Sequence, residues 1–331
     1  MKRNIFLFLL AVLAVATRAQ GPNGSGTYYQ AVDGQKGAAL KTALCGVVNP
    51  HTQRTYANLW TDFLQTDLRP DGKIWDMYSG ITNYTPVTDQ NSGNTGSEGK
   101  NYNREHSMPN SWFNKEYPMY TDLFHMYPTD SYVNNKRGNE PFGETDDPTY
   151  QSAEGFSKMG PARSGLGYSG TVFEPNDEYK GDFARTSFYM VTAYETYTTN
   201  GQSKRVSSWN SPMLAQNQYP ALTDWAVQLL LRWAEQDPVS QKELDRNEAV
   251  YGIQHNRNPF IDYPGLEQYI WGSLKDAAFS YDHYAEPTAI RGIRYEQRAD
   301  APVYNLQGQR VTQRPLPRGV YIQQGRKVVV K

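Results

Sequence analysis

Two stretches of the 331-residue chain carry side chains whose types and spacing could do acid–base and metal chemistry. The first is Asn103-Arg104-Glu105-His106-Ser107-Met108-Pro109-Asn110-Ser111-Trp112-Phe113. Histidine is the side chain whose ordinary pKa suits proton transfer near neutral pH. A glutamate beside it supplies the oxygen ligand that hard divalent cations take. Such a pair also arises by chance, and on a regular strand its two side chains point to opposite faces. They serve one site only where the strand ends or twists. The second stretch, Pro128-Thr129-Asp130-Ser131-Tyr132-Val133-Asn134-Asn135-Lys136-Arg137-Gly138-Asn139, reads as a short helix started by Thr129 or Asp130 and ended by Gly138. Asn134 and Arg137 stand three apart and share a helix face. An amide oxygen suits a metal and a guanidinium suits a phosphate, although a polar face in water would show the same residues.

The elements that must position these residues come from periodicity. Tyr56, Leu59, Trp60, Phe63 and Leu64 recur at helical spacing ahead of the first stretch. The turn Arg69-Pro70-Asp71-Gly72 leads into residues 73–78, which read as a short strand, and residues 88–101 are rich in Gly, Asn and Ser and read as loop. Downstream, residues 182–197 read as a helix with Phe183, Phe188, Val191 and Tyr194 as its buried side. Leu222, Trp225, Ala226, Leu229, Leu230 and Trp233 define another. Ser240 and Glu243 form a capping box for the next, and residues 265–274 read as the last. The fold class expected is α+β, helix-rich with few strands. After about residue 286 the character changes to short strands and turns, with six basic residues and no acidic one in residues 301–331. The expected organisation is a leader over 1–19, a main domain over 27–285, a linker over 286–300 and a small β-rich tail over 301–331.

Composition narrows the function classes. Met1-Lys2-Arg3 followed by an apolar run over residues 5–16 and small residues near Ala16 and Ala19 is the layout of a secretory signal peptide. The run is too short for a membrane anchor, so the expected mature protein is soluble and exported to periplasm, surface or medium. With one cysteine, Cys45, no intrachain disulfide can form; the residue reads as a buried small hydrophobe. The net charge is −1, and loss of Lys2, Arg3 and Arg18 with the leader moves it to −4. The net charge therefore gives no argument for a general basic patch, and any phosphate recognition must be local. The 25 tyrosines and 7 tryptophans are also what a secreted glycan-binding protein would carry.

Taken in order, Tyr102-Asn103-Arg104-Glu105-His106-Ser107, Ser111-Trp112-Phe113, Asp122-Leu123, Pro128-Thr129-Asp130 and Val133-Asn134-Asn135-Lys136-Arg137 resemble the bacterial endonuclease I family of periplasmic and secreted nucleases, in its Bacteroidetes-type form. Phe173-Glu174-Pro175, Gly181-Asp182-Phe183-Ala184-Arg185-Thr186 and His255-Asn256-Arg257-Asn258-Pro259-Phe260 extend the resemblance over residues 40–274. It implies a His-Me finger, the ββα-metal arrangement in which two short strands and a helix hold one divalent cation. By that resemblance His106 is the general base, Glu105 and Asn134 are metal ligands, and the cation is Mg²⁺, with Ca²⁺ or Mn²⁺ as substitutes. Arg137 and Arg185 match family arginines and are candidates for a catalytic phosphate contact or a structural ion pair. Arg104 and Lys136 are candidate substrate-binding residues. The substrate implied is DNA, with RNA as a further one, cut by a monomer with little sequence preference. Two departures stand out. Relatives usually carry a histidine after Asp-Leu where this chain has Phe124, followed by His125, and they often carry a cysteine pair in the loop that here reads 91–100 without one.

Two other readings compete. Glu174, Asp177 and Glu178 lie close in sequence on a Tyr-rich loop and could be the carboxylates of a glycoside hydrolase. The tyrosines and the β tail would also suit a non-catalytic surface-binding module. A chelator discriminates the first, since paired-carboxylate hydrolysis needs no metal; indifference to His106 discriminates the second.

Overall fold

The computed structural model describes residues 20–93, 96–284, 303–305, 310–311, 319–323 and 326–330; the leader expected over 1–19 and the linker over 286–300 lie outside them. The chain divides into two compact units, Met1–Pro287 and Thr288–Lys331. The larger has α1 (Gly37–Val48), α2 (Leu59–Thr66), β1 (Tyr102–His106), β2 (Met126–Asp130), α3 (Ser131–Arg137), β3 (Tyr150–Gln151), β4 (Lys158–Pro161), β5 (Thr171–Glu174), α4 (Lys180–Ala193), β6 (Thr196–Thr199), β7 (Gln202–Arg205), α5 (Asp224–Gln236), α6 (Gln241–Gln254), α7 (Pro259–Asp262) and α8 (Leu266–Ile270). The smaller has β8 (Val303–Asn305), β9 (Arg310–Val311), β10 (Gly319–Gln323) and β11 (Arg326–Val330) in one sheet of order β11-β10-β8-β9. Mixed helices and small antiparallel sheets make this an α+β protein.

The centre of the larger unit is α4, whose fourteen residues are all buried. The sequence assigns it one apolar face, yet α1, α5 and α7 pack around it and cover its polar residues too. Burying those residues is tolerable only when each is paired. Arg185 makes bonds of 2.5 and 2.8 Å to the carboxylate of Glu243, and the Lys242 ammonium pairs with Asp182. The helix ends at Ala193 rather than at the expected Tyr197, because the β-branched run that follows forms β6 paired to β7. Ser240 and Glu243 complete the capping box that the spacing predicts at the start of α6.

Residues 73–78 are not a strand. Ile74 makes only an isolated bridge with Leu68, and the Asp76 carboxylate accepts the backbone N–H of Tyr78, drawing the chain into a turn. Many tyrosines prove to be core residues whose hydroxyls donate to buried carboxylates: Tyr29 to Asp262, Tyr84 to Asp130, and Tyr189 and Tyr194 to Asp122. Their number therefore reflects interior packing with a polar handle. Cys45 is buried and its thiol donates to the Ala193 carbonyl.

A strand–strand–helix unit and its candidate active site

β1 and β2 pair antiparallel with Glu105 opposite Tyr127 and His106 opposite Met126, and α3 starts directly after β2. The start of α3 is fixed by Asp130, whose Oδ1 accepts the N–H groups of Tyr132 and Val133, both at 2.8 Å. Its Oδ2 accepts from the Tyr84 hydroxyl and the Gly99 N–H, and its own N–H donates to Asp76. These bonds seat the helix against the preceding loop. Gly138 ends it at φ +59, a conformation that favours glycine.

Alternation along β1 sends its side chains two ways. Asn103 and Glu105 meet α3: Asn103 accepts from the Asn134 amide at 2.8 Å, and Glu105 accepts from Arg137 at 2.5 Å. Arg104 and His106 meet the other side, where both lie against the ring of Tyr56. The expected conflict between neighbouring strand residues is thus real. It is relieved because β1 ends at His106, which puts both side chains at the strand's terminus. Arg137 spans that terminus, donating to Glu105 Oε1, to the His106 carbonyl at 3.4 Å and to the Ser107 carbonyl at 2.7 Å.

The imidazole of His106 is held by two contacts. Nε2 lies 3.0 Å from the Tyr120 carbonyl, and Nδ1 lies 3.2 Å from the Asn110 amide nitrogen. A carbonyl only accepts, so Nε2 carries the proton and Nδ1 presents its lone pair, with the Asn110 amide donating to it. The ring stacks 6.0 Å from Tyr56 and lies 4.8 Å from Tyr120 and 5.5 Å from His125. Burial foremost, then His125 and the charges of Arg104 and Lys115, pushes its pKa down to about 3. The ring is neutral at pH 7 and can take a proton only at Nδ1.

Glu105 is buried, and burial pushes its carboxyl up against the pull of Arg137. Its two side-chain donors, Arg137 and the Tyr78 hydroxyl at 2.8 Å, both land on Oε1. Among the described residues, no side chain donates to Oε2. The Asn134 amide nitrogen is committed to Asn103, which leaves the carbonyl oxygen as its free polar atom. A strand carboxylate oxygen and a helix amide oxygen are the donor chemistry that Mg²⁺ takes, and Mg²⁺ keeps most of its waters. Among the described residues no group of three or more His, Cys, Asp or Glu side chains gathers to hold a metal. Glu105 Oε2 and the Asn134 carbonyl oxygen are the oxygens on β1 and α3 whose chemistry suits such a cation.

The remaining candidates divide between this unit and the rest of the larger one. Arg137 is 1% exposed, and the bonds it makes go to protein acceptors within the unit. Arg185 is equally buried in α4, bound to Glu243 and to the Asp237 carbonyl. Both arginines are buried and paired with buried carboxylates. Replacing Arg185 by methionine should cost about 3–5 kcal/mol of stability by stranding Glu243, with turnover per folded molecule unchanged. Urea unfolding alongside an active-site titration checks it. Arg104 is half-buried, bonded to the Tyr56 carbonyl at 2.7 Å with its guanidinium 3.6 Å from the Tyr56 ring centroid. Lys136 is exposed, with its ammonium 5.1 Å from the ring of Tyr132. His125 is fully buried and bonded to the Met119 carbonyl at 2.6 Å.

Sequence reasoning did not single out Tyr78, Asn103, Asn110 or Tyr120 as partners of these groups. Asn110 follows Pro109 at the start of a 3-10 turn, and nothing in its spacing distinguishes it from an ordinary turn asparagine. Two of the three carboxylates of the glycoside-hydrolase reading are engaged in another way. Glu174 and Asp177 both pair with the Lys180 ammonium, at 2.8 and 2.6 Å.

A family profile described as endonuclease I matches residues 36–265. An extracellular ribonuclease of Bacillus amyloliquefaciens is 36% identical over 251 residues, covering 74% of this chain and 78% of its own length. An extracellular ribonuclease of Bacillus subtilis (strain 168) is 32% identical over 271 residues, covering 79% and 84%. The profile spans β1, β2 and α3 together with the core helices α1 and α4 to α7. This chain belongs to the endonuclease I family and is a nuclease that hydrolyses phosphodiester bonds.

Proposed function

We propose that the protein is an exported, metal-dependent endonuclease of the His-Me finger type, cutting DNA and RNA as a monomer with little sequence preference. The observation that carries this reading is the fixed tautomer of His106. The Tyr120 carbonyl accepts the Nε2–H, so the base's lone pair is at Nδ1, at the terminus of β1 where Glu105 meets Arg137 of α3. In that role His106 Nδ1 takes a proton from the attacking water, and Asn110, which donates to the same nitrogen, holds the ring until water displaces it. Glu105 and Asn134 are the proposed ligands of the cation, with Glu105 Oε2 and the Asn134 carbonyl oxygen as the donors. A bound Mg²⁺ supplies charge neutralisation at the phosphate and the leaving oxygen. Arg137 holds Glu105 in place and leaves the phosphate to others; Arg104 and Lys136 are the proposed backbone contacts. The names of the two relatives favour RNA among the substrates and the extracellular space as the destination. No helix among the described residues is long and apolar enough to cross a membrane.

The test is nicking of a supercoiled plasmid and cleavage of a single-stranded RNA by the mature protein, with Mg²⁺, with EDTA and with His106→Ala. Cleavage that needs the metal and fails in the variant supports base, cofactor and reaction together. Cleavage that survives EDTA removes the metal from the mechanism. Glu105→Ala and Asn134→Ala should each raise the Mg²⁺ concentration for half-maximal activity, by about 10-fold or more. Titrations that overlay the wild type would remove both as ligands.

A further inference from the structure

Beside His106 the chain builds a flight of aromatic rings that hydrolysis itself does not require. Tyr120 lies 4.8 Å from the imidazole and 4.9 Å from Tyr56, ring centroid to ring centroid. Tyr117 continues the series outward, 5.4 Å beyond Tyr120. It is 37% exposed, one of five large apolar or aromatic side chains so placed among the described residues. The Arg104 guanidinium lies 3.6 Å from the Tyr56 ring centroid and 4.3 Å from that of Trp60, and Lys115 is exposed two residues before Tyr117. Rings that step from a buried catalytic group to solvent, with cations alongside, match the chemistry of a nucleic-acid strand: flat bases on a charged backbone. In a duplex the faces of the bases are covered by their neighbours, and a protein ring reaches a face only where a base is unpaired or extruded.

We propose that Tyr117, with Tyr120 and Tyr56 behind it, is a ledge on which unpaired bases next to the scissile phosphate stack, so that the enzyme prefers single-stranded to duplex nucleic acid. The proposal rests on the hydrolytic reading of His106. It assigns Tyr117 a specificity role and no part in the chemical step. Stacking on an aromatic ring is tolerant of base identity, which agrees with a nuclease of little sequence preference.

The experiment compares initial rates of the Mg²⁺-loaded full-length mature protein on a labelled single-stranded oligoribonucleotide and on the same strand annealed to its complement. Tyr117→Ala should raise KM on the single strand about 10-fold and leave kcat within about twofold, from the usual strength of one base–ring stack. On the duplex it should change little, so the preference for single strands narrows. Tyr117→Trp should restore the low KM, and Tyr117→Leu, apolar but without a π face, should not. Fluorescence anisotropy of the same single strand in EDTA, where cleavage is stopped, should show the same order of affinities. Equal KM in wild type and Tyr117→Ala, an equal shift on both substrates, or rescue by leucine would overturn the ledge. If the wild type cuts neither substrate, the hydrolytic reading fails, and the anisotropy series still decides whether single strands bind at Tyr117.

Discussion

Replacing His106 by alanine should lower phosphodiester cleavage by about 10²–10⁴-fold, the usual contribution of a positioned general base, while the protein still folds. The loss should fall on kcat more than on KM, because in the proposed role the ring moves a proton and does not grip substrate. Folding should survive, since the ring sits at the end of β1, outside the α1–α4–α5 core, and its hydrogen-bond partners are one backbone carbonyl and one side-chain amide. A variant with wild-type turnover would remove His106 as the base. The same residue makes a second, thermodynamic statement. Its folded pKa of about 3 lies below the ordinary 6.5, with burial as the leading cause. Below pH 6.5 the unfolded chain takes a proton that the folded state refuses, so this contribution to stability is complete above 6.5 and erodes as pH falls toward 3. Between pH 7 and 5 the wild type should therefore lose about 2 kcal/mol relative to His106→Gln. Urea midpoints of the two proteins at both pH values test it; parallel decline would mean that the imidazole is freely hydrated.

Arg137→Met should destabilise the protein by about 3–5 kcal/mol, because it strands a buried carboxylate rather than because the pair is intrinsically strong. Four protein groups lose a donor at once: Glu105 Oε1, the Tyr78 hydroxyl and the carbonyls of His106 and Ser107. Adding Glu105→Gln should recover part of the loss, since the uncompensated charge then goes, and the double-mutant cycle should show strong coupling. Activity should drop as well, through a higher Mg²⁺ requirement, because Glu105 is the proposed ligand that Arg137 holds. Unchanged stability with a lower kcat at saturating metal would instead move Arg137 onto the phosphate, as the family resemblance allows.

Both predictions depend on partners that no spacing rule reveals. Glu105-His106 and the Asn134-to-Arg137 helix stand out because their residue types are chemically specific and close in sequence. The hydrogen bonds that give them protonation states and orientation come from Tyr78, Asn110 and the Tyr120 carbonyl, each on a loop or turn. A backbone carbonyl leaves no trace in side-chain identity. Arg185 shows the opposite case: its motif marks it as notable, yet its partner Glu243 lies 58 residues away in another helix, and only packing reveals that the charge is spent on an ion pair.

By itself the sequence determined what local physics controls. The cap of α3 at Asp130 and its end at Gly138, the capping box at Ser240, the amphipathic α2 and α5, and the short strands of the tail all follow from interactions within a few residues. It also located the residues able to do chemistry. Helix α1 is absent from the sequence reading: Leu40, Leu44 and Val48 recur at four-residue intervals, but Gly37 and Gly46 dilute the pattern. Tertiary structure alone decided which residues meet. It buried every side of α4, turned residues 73–78 away from a strand, and hid the tyrosine hydroxyls on carboxylates. It also ended β1 at His106, so that one terminus carries Glu105 and His106 although alternation sends them to opposite faces. The reason is range. Capping, turns and periodicity act over one or two turns of chain, whereas the desolvation that sets the His106 proton and forces Arg137 onto Glu105 belongs to elements brought together from distant parts of the sequence.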